Sequence, residues 1–390
     1  MRIRSKETRI IKNLKKIFSN KKTIELVNAL TRVRKLGYYS YVGREIGYDP
    51  YKLSKIVGRF YNNNIEFTAV IDYSKIGLDI LLVFVEKHIV KFHELPFIEW
   101  IKSYGLTKDI FGTYIQYYIP FEYSKELVHS ILEELKKKVD QKHVYYYYFD
   151  TNIRRQPKLT LNIDRHPLIT GYNFNKLKEM MEIFMENKYV IKTSTTEHSK
   201  PHDIIDLMLI KEFEKNAFTT IYDLADKLSI PVRILNRHLN NHVLRFSLIK
   251  GIYMKTGIFV RYFGDPLVII VKAKNYNLYR ALILLFENLE NLIGISYSVN
   301  SNEEISRAKY VIQAIMFETL GRKDDIYYFL LSLLNDGYIE EIKTLRFILK
   351  SFRKFTIPYQ NFLQEKRNWD LDTEKTHKLF KRRFIYKSPF

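Results

Sequence analysis

Residues 49–62 read DPYKLSKIVGRFYN, and this stretch decides how the N-terminal part of the chain is expected to fold. Apolar residues recur at helical spacing from Leu53 to Phe60. Asp49 is a favourable N-cap residue, and Pro50 suits the first helical position, where its missing amide hydrogen would have no partner. The stretch therefore predicts an amphipathic helix that buries one apolar face.

A helix-turn-helix is predicted from what surrounds this stretch. Segments 23–33 and 41–46 have helical patterns, and the second ends at Gly47, a common helix stop. Two short helices joined by a tight turn that contains glycine make a helix-turn-helix. The apolar segment 65–71 follows as the expected wing strand, so residues 23–76 are predicted to form a winged helix-turn-helix.

The polar face of the predicted helix carries groups that can donate to phosphates and base edges. These candidate DNA-binding residues are Tyr51, Lys52, Ser54, Lys55 and Arg59. The alternative is a solvated basic face on an ordinary surface helix. Because a helix and turn precede the stretch and a wing follows it, we interpret it as a recognition helix.

Positive charge is concentrated at the two ends of the chain. The net charge of the chain is +21. Residues 1–66 contain 16 Lys and Arg against 5 Asp and Glu, and residues 351–390 contain 10 Lys and Arg against 4 Asp and Glu. Such a field is expected of a surface that binds a polyanion, and basic termini that only aid solubility are the alternative. A basic arm, residues 1–22, supplies further candidate contacts: Arg2, Arg4, Lys12, Lys15, Lys16, Lys21 and Lys22.

Residues 77–156 are predicted to form a ferredoxin-like domain. Their elements follow the order βαββαβ, which is the ferredoxin-like arrangement. In chain order the predicted strands and helices cover residues 78–87, 93–105, the strand pair within 109–121, 122–139 and 143–153.

The same order of elements recurs in the second half of the chain. Helical patterns and a wing predict a second winged helix-turn-helix over residues 202–263, and a second ferredoxin-like domain over 264–350. A helical linker, 157–201, joins the copies, and a basic tail, 351–390, follows them. The expected fold class is α+β, with two copies of a winged helix-turn-helix followed by a βαββαβ ferredoxin-like domain.

The third helix of the second copy, predicted over 232–245, offers its own polar groups. The candidate DNA contacts are Arg233, Asn236, Arg237, Asn240 and Asn241, since Asn suits adenine. A degenerate domain kept for assembly is the alternative. His238 and His242 have the i, i+4 spacing of a metal pair, but the helix supplies no third ligand, so no metal site is expected.

Several classes of activity lack support in the sequence. The absence of Cys excludes disulfides, thiolate zinc sites and cysteine nucleophiles. GxGxxG, Walker A, GxSxG and HExxH motifs are also absent. No run of about eighteen apolar residues and no secretory signal pattern is found, so a cytoplasmic, nucleoid-associated protein away from membranes is expected. We expect neither an enzyme with catalytic residues nor a bound cofactor.

Three stretches resemble the Lrp/AsnC family of prokaryotic transcription regulators. Two of them are REIGYDPYKLSKIVGRF (44–60) and FTAVIDYSKIGLDILLVFVEK (67–87). The third, IFGTYIQYYIPF (110–121), resembles the family's central pair of strands. The resemblance covers residues 23–153 and extends to 203–350 by element order. It implies a tandem, archaeal form of the family. In that family the helix-turn-helix binds double-stranded DNA, and the βαββαβ domains pair.

We therefore predict a sequence-specific DNA-binding transcription regulator that works as a homodimer or as an intramolecular pseudo-dimer. One alternative is an enzyme: siroheme decarboxylases share this architecture and bind an acidic tetrapyrrole, although their His- and Arg-bearing segments are not found here. The other alternative is a module that contacts RNA polymerase or another part of the transcription machinery through its basic ends.

Overall fold

The chain forms two five-stranded antiparallel sheets, each preceded by a helix-turn-helix, in a computed structural model. The structure describes residues 16–63, 65–89, 91–154, 157, 159–161, 167–169, 172–186, 203–255, 266–298, 309–317 and 325–371. Within these ranges, no helix combines the length and the apolar content that a membrane crossing needs. The α+β fold class predicted from sequence, with winged helix-turn-helix and ferredoxin-like parts, is confirmed.

The first helix-turn-helix agrees closely with its sequence pattern. It consists of α1 (Lys21–Leu30), α2 (Tyr39–Ile46), α3 (Pro50–Tyr61) and the strand β1 (Phe67–Ile71). Leu53, Val57 and Phe60 are fully buried, as expected of the docking face. The Asp49 carboxylate accepts a hydrogen bond from the Lys52 backbone N–H at 2.8 Å and so caps α3.

The first sheet contains the four strands of one ferredoxin-like unit. They are β2 (Leu78–Val85), β3 (Ile101–Thr107), β4 (Gly112–Pro120) and β5 (Val144–Phe149). The helix α4 (Ser124–Lys136) buries Leu127, Ile131 and Leu135. This amphipathic face explains why the predicted helix 122–139 forms here.

Residues 93–105 do not form the predicted helix. Short 3-10 turns occupy Phe92–Glu94 and Ile98–Trp100, and the chain then continues as β3. Pro96 lies inside the segment, and Phe97 adopts a left-handed φ of 48°. Proline in a helix interior costs about 3 kcal/mol, whereas β3 gains a hydrogen-bonded ladder with β4. The first unit therefore lacks the first long helix of the βαββαβ order.

The segment after β5 leads away from the first sheet. The single strand predicted over 143–153 is divided at Asp150 into β5 and β6 (Thr151–Arg154). A short hairpin follows, formed by β7 (Leu159–Leu161) and β8 (Pro167–Ile169). The linker helix α5 (Phe174–Glu186) then buries Leu177 and Met181.

The second helix-turn-helix has an irregular third helix. It consists of α6 (Ile204–Lys215), α7 (Ile221–Leu228), α8 (Val232–His238) and the strand β9 (Ile249–Met254). The helix predicted over 232–245 changes at Leu239 into a π-helical turn, Leu239–Leu244. Neither predicted wing forms a local hairpin among the described residues, because β1 and β9 pair with each other instead.

The second sheet follows the complete βαββαβ order. Its elements are β10 (Pro266–Ala273), α9 (Tyr276–Asn288), β11 (Leu292–Tyr297), β12 (Val311–Phe317), α10 (Asp325–Asn335) and β13 (Ile339–Arg346). Along β10, Leu267, Ile269 and Val271 face the core that contains α9 and α10, whereas Val268 and Ile270 belong to the core shared with the first sheet. The two sheets therefore pack face to face.

The two halves exchange edge strands. After β13 the chain forms β14 (Arg353–Lys354), which pairs with β3 in the first sheet. In the same way β6, which follows β5, pairs with β11 in the second sheet. The described part of the tail contains the hairpin of β15 (Phe362–Leu363) and β16 (Asn368–Trp369), and the Trp369 indole N–H donates to the Ile76 carbonyl at 3.0 Å. The two halves are thus interlocked within one chain.

Candidate ligand site between the two halves

Four charged side chains from four separate elements meet where the halves interlock. They are Lys102 on β3, Arg154 at the end of β6, Glu214 near the end of α6, and Lys354 on β14. We name this group the cation cluster. Since β6 and β14 are the exchanged strands, each half delivers charge to a site that the other half helps to build.

Glu214 is the acid of the cation cluster. Its carboxylate accepts hydrogen bonds from the Tyr73 hydroxyl at 2.6 Å and from the Ile357 backbone N–H at 3.3 Å, and it lies 3.3 Å from the Lys354 ammonium. Burial by itself would raise the pKa of Glu214, but Lys354, the Tyr73 hydroxyl and Arg154 outweigh burial and lower it below its usual value. Glu214 is therefore ionised at neutral pH.

Lys102 is the most deeply buried base of the cluster, with only 3% exposure. Its ammonium lies 4.8 Å from the centre of the Tyr73 ring and 5.9 Å from that of Tyr118, and it donates to the Asn152 side-chain oxygen at 3.2 Å. Burial, followed by the nearby charges of Arg154 and Lys354, lowers the pKa of Lys102 well below its usual value. The folded protein therefore holds Lys102 where a positive charge is costly.

Lys354 lies at the more open side of the cluster, with 29% of its side chain exposed. Burial of its ammonium, together with the positive charge of Arg154, lowers the pKa of Lys354 to about 7 even though Glu214 acts in the opposite direction. A group with this pKa exchanges its proton near neutral pH. Proton donors and acceptors in active sites are commonly tuned to this range.

The cation cluster contains more basic than acidic groups. The Arg154 guanidinium stays protonated in proteins, and its carbon lies 5.9 Å from the centre of the Tyr253 ring. Burial raises the pKa of the neighbouring Tyr73 and Tyr118, so their hydroxyls stay neutral. Among the described residues, three bases thus face one acid. Because unpaired buried charge is costly, an anion with several carboxylate or phosphate groups would stabilise this arrangement.

A polar network connects the cation cluster to the interface between the two sheets. Ser103 pairs with Gln116 in the first sheet, and Ser296 pairs with Gln313 in the second, so the halves repeat the same pair. The Gln116 side-chain amide donates to Gln313 at 3.1 Å, across the interface. Asn152 connects this row to the cluster, because it donates to Ser296 at 2.6 Å and accepts from Lys102.

The candidate residues on α3 lie away from the cation cluster. The structure places Tyr51, Lys52, Ser54, Lys55 and Arg59 on one exposed face of this helix. The Lys55 ammonium lies 4.3 Å from the centre of the Tyr51 ring, so these two side chains partly satisfy each other. No described contact links this face to the buried charges.

The candidate residues of the second copy divide into two groups. Arg233, Arg237, Asn240 and Asn241 are exposed. Asn236 is half-buried and accepts a hydrogen bond at 2.7 Å from the Tyr38 hydroxyl of the first helix-turn-helix. Asn236 therefore joins the two helix-turn-helix units to each other, which is a packing role that the helical pattern did not indicate.

The basic arm is described only in part. Arg2, Arg4, Lys12 and Lys15 lie outside the described residues. Lys16, Lys21 and Lys22 are exposed, and Lys21 lies 3.8 Å from Glu25. None of the residues selected from the sequence belongs to the cation cluster. The one local sign of the cluster was Lys102 in the largely apolar stretch IEWIKSYGLT (98–107), because a lysine in a buried strand is unusual. The segment 93–105 was predicted to be a helix, so this sign was missed.

Comparisons with known proteins give a similarity of fold. No protein-family model matches the chain, and no curated protein matches it. A crystal structure of the siroheme decarboxylase NirDL is 12% identical, with a TM-score of 0.49 and coverage of 91% of this chain and 99% of that one. A second, of NirDL in co-complex with an iron-uroporphyrin III analogue, is 12% identical, with a TM-score of 0.47 and coverage of 83% and 91%.

These comparisons correct two expectations. The expectations of a DNA-binding transcription regulator and of a chain that is not an enzyme are corrected, because both of these solved structures are of an enzyme and neither is of a DNA-binding regulator. The resemblance indicated an Lrp/AsnC-like fold correctly, but a fold does not fix the function that it supports. The absence of nucleotide-binding and hydrolase motifs excluded only the chemistries that need those motifs.

Proposed function

We propose that this chain is an enzyme that binds a polycarboxylate substrate at the cation cluster and removes a carboxyl group from it, with acidic tetrapyrroles of the siroheme type as the substrate class. One observation carries the proposal: three bases from both halves converge on a single buried acid. A substrate with several carboxylates matches this excess of basic groups, and an aromatic macrocycle suits the surrounding tyrosine rings.

The residues of the cluster suit the steps of a decarboxylation. Arg154 can hold a spectator carboxylate through two parallel N–H donors. As the bond between the reacting carboxylate and its carbon breaks, CO2 leaves and the electron pair remains on that carbon. The Lys354 ammonium, whose pKa is about 7, supplies the proton that this carbon takes up. Its partial exposure then allows it to regain a proton from water.

Binding is tested by titrating the full-length protein with iron-uroporphyrin III while the absorption of the macrocycle is followed. We expect saturable binding that Arg154→Gln and Lys102→Met each weaken by at least about tenfold, because each removes a basic group that a bound carboxylate would hold in its protonated form. Lys52→Met, on the exposed face of α3, is the matched control and should bind as the unmodified protein does. Equal affinity in all four proteins would refute the cation cluster as the site.

Turnover is tested by incubating the protein with siroheme and analysing the product by mass spectrometry. We expect loss of CO2 from acetate side chains, and a slower rate in Lys354→Met than in Lys52→Met. Circular dichroism of each variant shows whether it is folded. Tight binding with no loss of CO2 would refute the decarboxylation while leaving the binding site intact.

A further inference from the structure

Two histidines and two aspartates converge in the second helix-turn-helix. Asp203 and Asp206 lie at the start of α6, and His238 and His242 lie at the end of α8 and in the π-helical turn. Each residue offers one ligand atom, and these four atoms all lie within 4.8 Å of one another. We name this group the His/Asp cluster. It shares no residue with the cation cluster.

The side chains of the His/Asp cluster point at a common centre. Asp206 is fully buried, and its carboxylate lies 3.0 Å from His238 Nδ1 and 2.9 Å from His242 Nδ1. His238 Nδ1 is also 3.2 Å from the Asp203 carboxylate. The two imidazole rings are perpendicular, with their centres 5.0 Å apart, so each ring directs a nitrogen at the same carboxylate from a different side.

The two carboxylate oxygens of Asp203 have separate roles, and one of them faces the centre of the His/Asp cluster. Its Oδ1 accepts from the backbone N–H groups of Ile205 and Asp206 at 2.9 and 3.1 Å, and so it caps α6. Its Oδ2 is the atom that faces His238. The cap fixes the side chain in place, while the second oxygen stays directed at the centre of the cluster.

The local backbone favours a special role for this cluster. π-Helical turns are rare and occur frequently at functional sites. Here the turn starts at Leu239, directly after His238, and it contains His242. The widened turn lets both rings reach Asp206 on the neighbouring helix. Sequence spacing gave no third ligand because Asp206 precedes His238 by 32 residues.

The charges of the cluster match a divalent cation. Metal ligands bind in their deprotonated form, so two carboxylates and two imidazoles would present a charge of −2 to an ion. Among the described residues, no Lys or Arg forms an ion pair with either carboxylate. A bound cation would satisfy the two carboxylates directly.

We propose that Asp203, Asp206, His238 and His242 bind one divalent transition-metal ion of the zinc type, and that this ion joins α6 to α8. Zn2+ takes four nitrogen and oxygen ligands in tetrahedral geometry. Tetrahedral ligands at zinc distances are separated by about 3.3 to 3.4 Å, and three of the six gaps in the cluster are 2.9 to 3.2 Å. All six gaps are within 4.8 Å, so shifts of at most about 1.5 Å bring the four ligand atoms to zinc distances. His242, 26% exposed, provides a route of entry for the ion.

The test uses the full-length protein, stripped with a chelator and then titrated with Co2+. We expect one Co2+ per chain, with the visible absorption bands of a tetrahedral site, and displacement of Co2+ by Zn2+. Zn2+ should also raise the melting temperature, because an ion that binds only the folded state stabilises it. No tetrahedral bands together with an unchanged melting temperature would refute the site.

Variants distinguish metal binding at the His/Asp cluster from metal binding by exposed histidines elsewhere on the protein. His242→Ala and Asp206→Asn should each weaken metal binding by at least about tenfold, while His129→Ala, which removes an exposed histidine on α4, should leave it unchanged. Circular dichroism at low temperature identifies any variant that fails to fold, and the partly exposed His242 makes its variant the safer of the two. Unchanged affinity in a folded His242→Ala protein would overturn the proposal, whatever the result with iron-uroporphyrin III.

Discussion

Glu214 stabilises the cation cluster in the folded protein by supplying a negative charge to its three bases. Its side chain is 1% exposed, and its carboxylate contacts Tyr73 and Lys354 directly. Glu214→Gln leaves the three bases of the cluster, of which Lys102 is buried, without an acid. Breaking a buried ion pair by removing one partner typically costs about 3–5 kcal/mol. We expect a loss of that size in the free energy of unfolding, measured by urea denaturation at neutral pH.

Glu134→Gln is the control for this change. Glu134 is 45% exposed and pairs with the exposed Lys137, so its loss should cost less than about 1 kcal/mol. The low pKa of Glu214 also sets a direction with pH: its stabilising contribution is present above the unfolded pKa of a glutamate and is lost as the pH falls through the lower folded value. Equal stability of the two variants would contradict this account of the cluster.

Lys354 makes ligand binding depend on pH. Its folded pKa of about 7 lies below the unfolded value of a lysine, so its burial costs stability below about pH 7, and the cost fades as the pH rises towards the unfolded value. A bound carboxylate raises the pKa of Lys354 again, so binding takes up a proton above pH 7. The affinity for iron-uroporphyrin III should therefore fall by up to about tenfold per pH unit above pH 7.

Titrations from about pH 6 to about pH 9 check this dependence. In Lys354→Met the affinity should be lower throughout and nearly independent of pH over this range, while Lys52→Met should follow the unmodified protein. A steep pH dependence that persists in Lys354→Met would assign the proton to another group.

At the scale of elements, two glycines show how tightly the halves are packed. A Cβ built at Gly251 on β9 lies 2.1 Å from the carbonyl oxygen of Thr31, directly after α1, whereas a Cβ at Gly58 in α3 meets nothing within 4 Å. Gly251→Ala must push the second half away from the first, which we expect to cost about 1–3 kcal/mol. Gly58→Ala should instead stabilise the protein by up to about 1 kcal/mol.

Thermal unfolding of the two variants provides the comparison, because both substitutions add the same methyl group. The melting temperature should fall for Gly251→Ala and rise for Gly58→Ala. A rise for both would show that the contact between β9 and the end of α1 is looser than the structure indicates.

Elements with strong local signals could be predicted from the sequence. The cap at Asp49 and the apolar face of α3 were confirmed, because both depend on residues within a few positions of one another. The helix predicted over 93–105 was wrong, because the pairing of β3 with β4 overrides a helical pattern that Pro96 already interrupts. The division at Asp150 was also missed, since only the second sheet gives β6 a partner.

At the scale of the whole molecule, the candidate sites could not be predicted from local patterns. The cation cluster joins positions 102, 154, 214 and 354, and it exists only because each half sends a strand into the sheet of the other. The helix α6 belongs to both sites, with Asp203 and Asp206 at its start and Glu214 near its end. Glu214 lies eight positions after Asp206, and at 1.5 Å per position the two sites are about 12 Å apart along this helix.

Strand exchange also determines whether a half of the chain can fold alone. A fragment of residues 1–195 would lack β9, the partner of β1, and β14, the partner of β3. A fragment of residues 196–390 would lack β6, the partner of β11. Each fragment would expose apolar surface that the shared core buries, including Val268 and Ile270 on β10.

Produced separately, both fragments should aggregate or show little fixed tertiary structure by near-UV circular dichroism, whereas produced together they should co-purify as one complex. The intact chain should unfold in a single cooperative transition. Two separate transitions, or a monomeric and folded fragment 1–195, would show that the exchanged strands are accessories and that each half is stable without them.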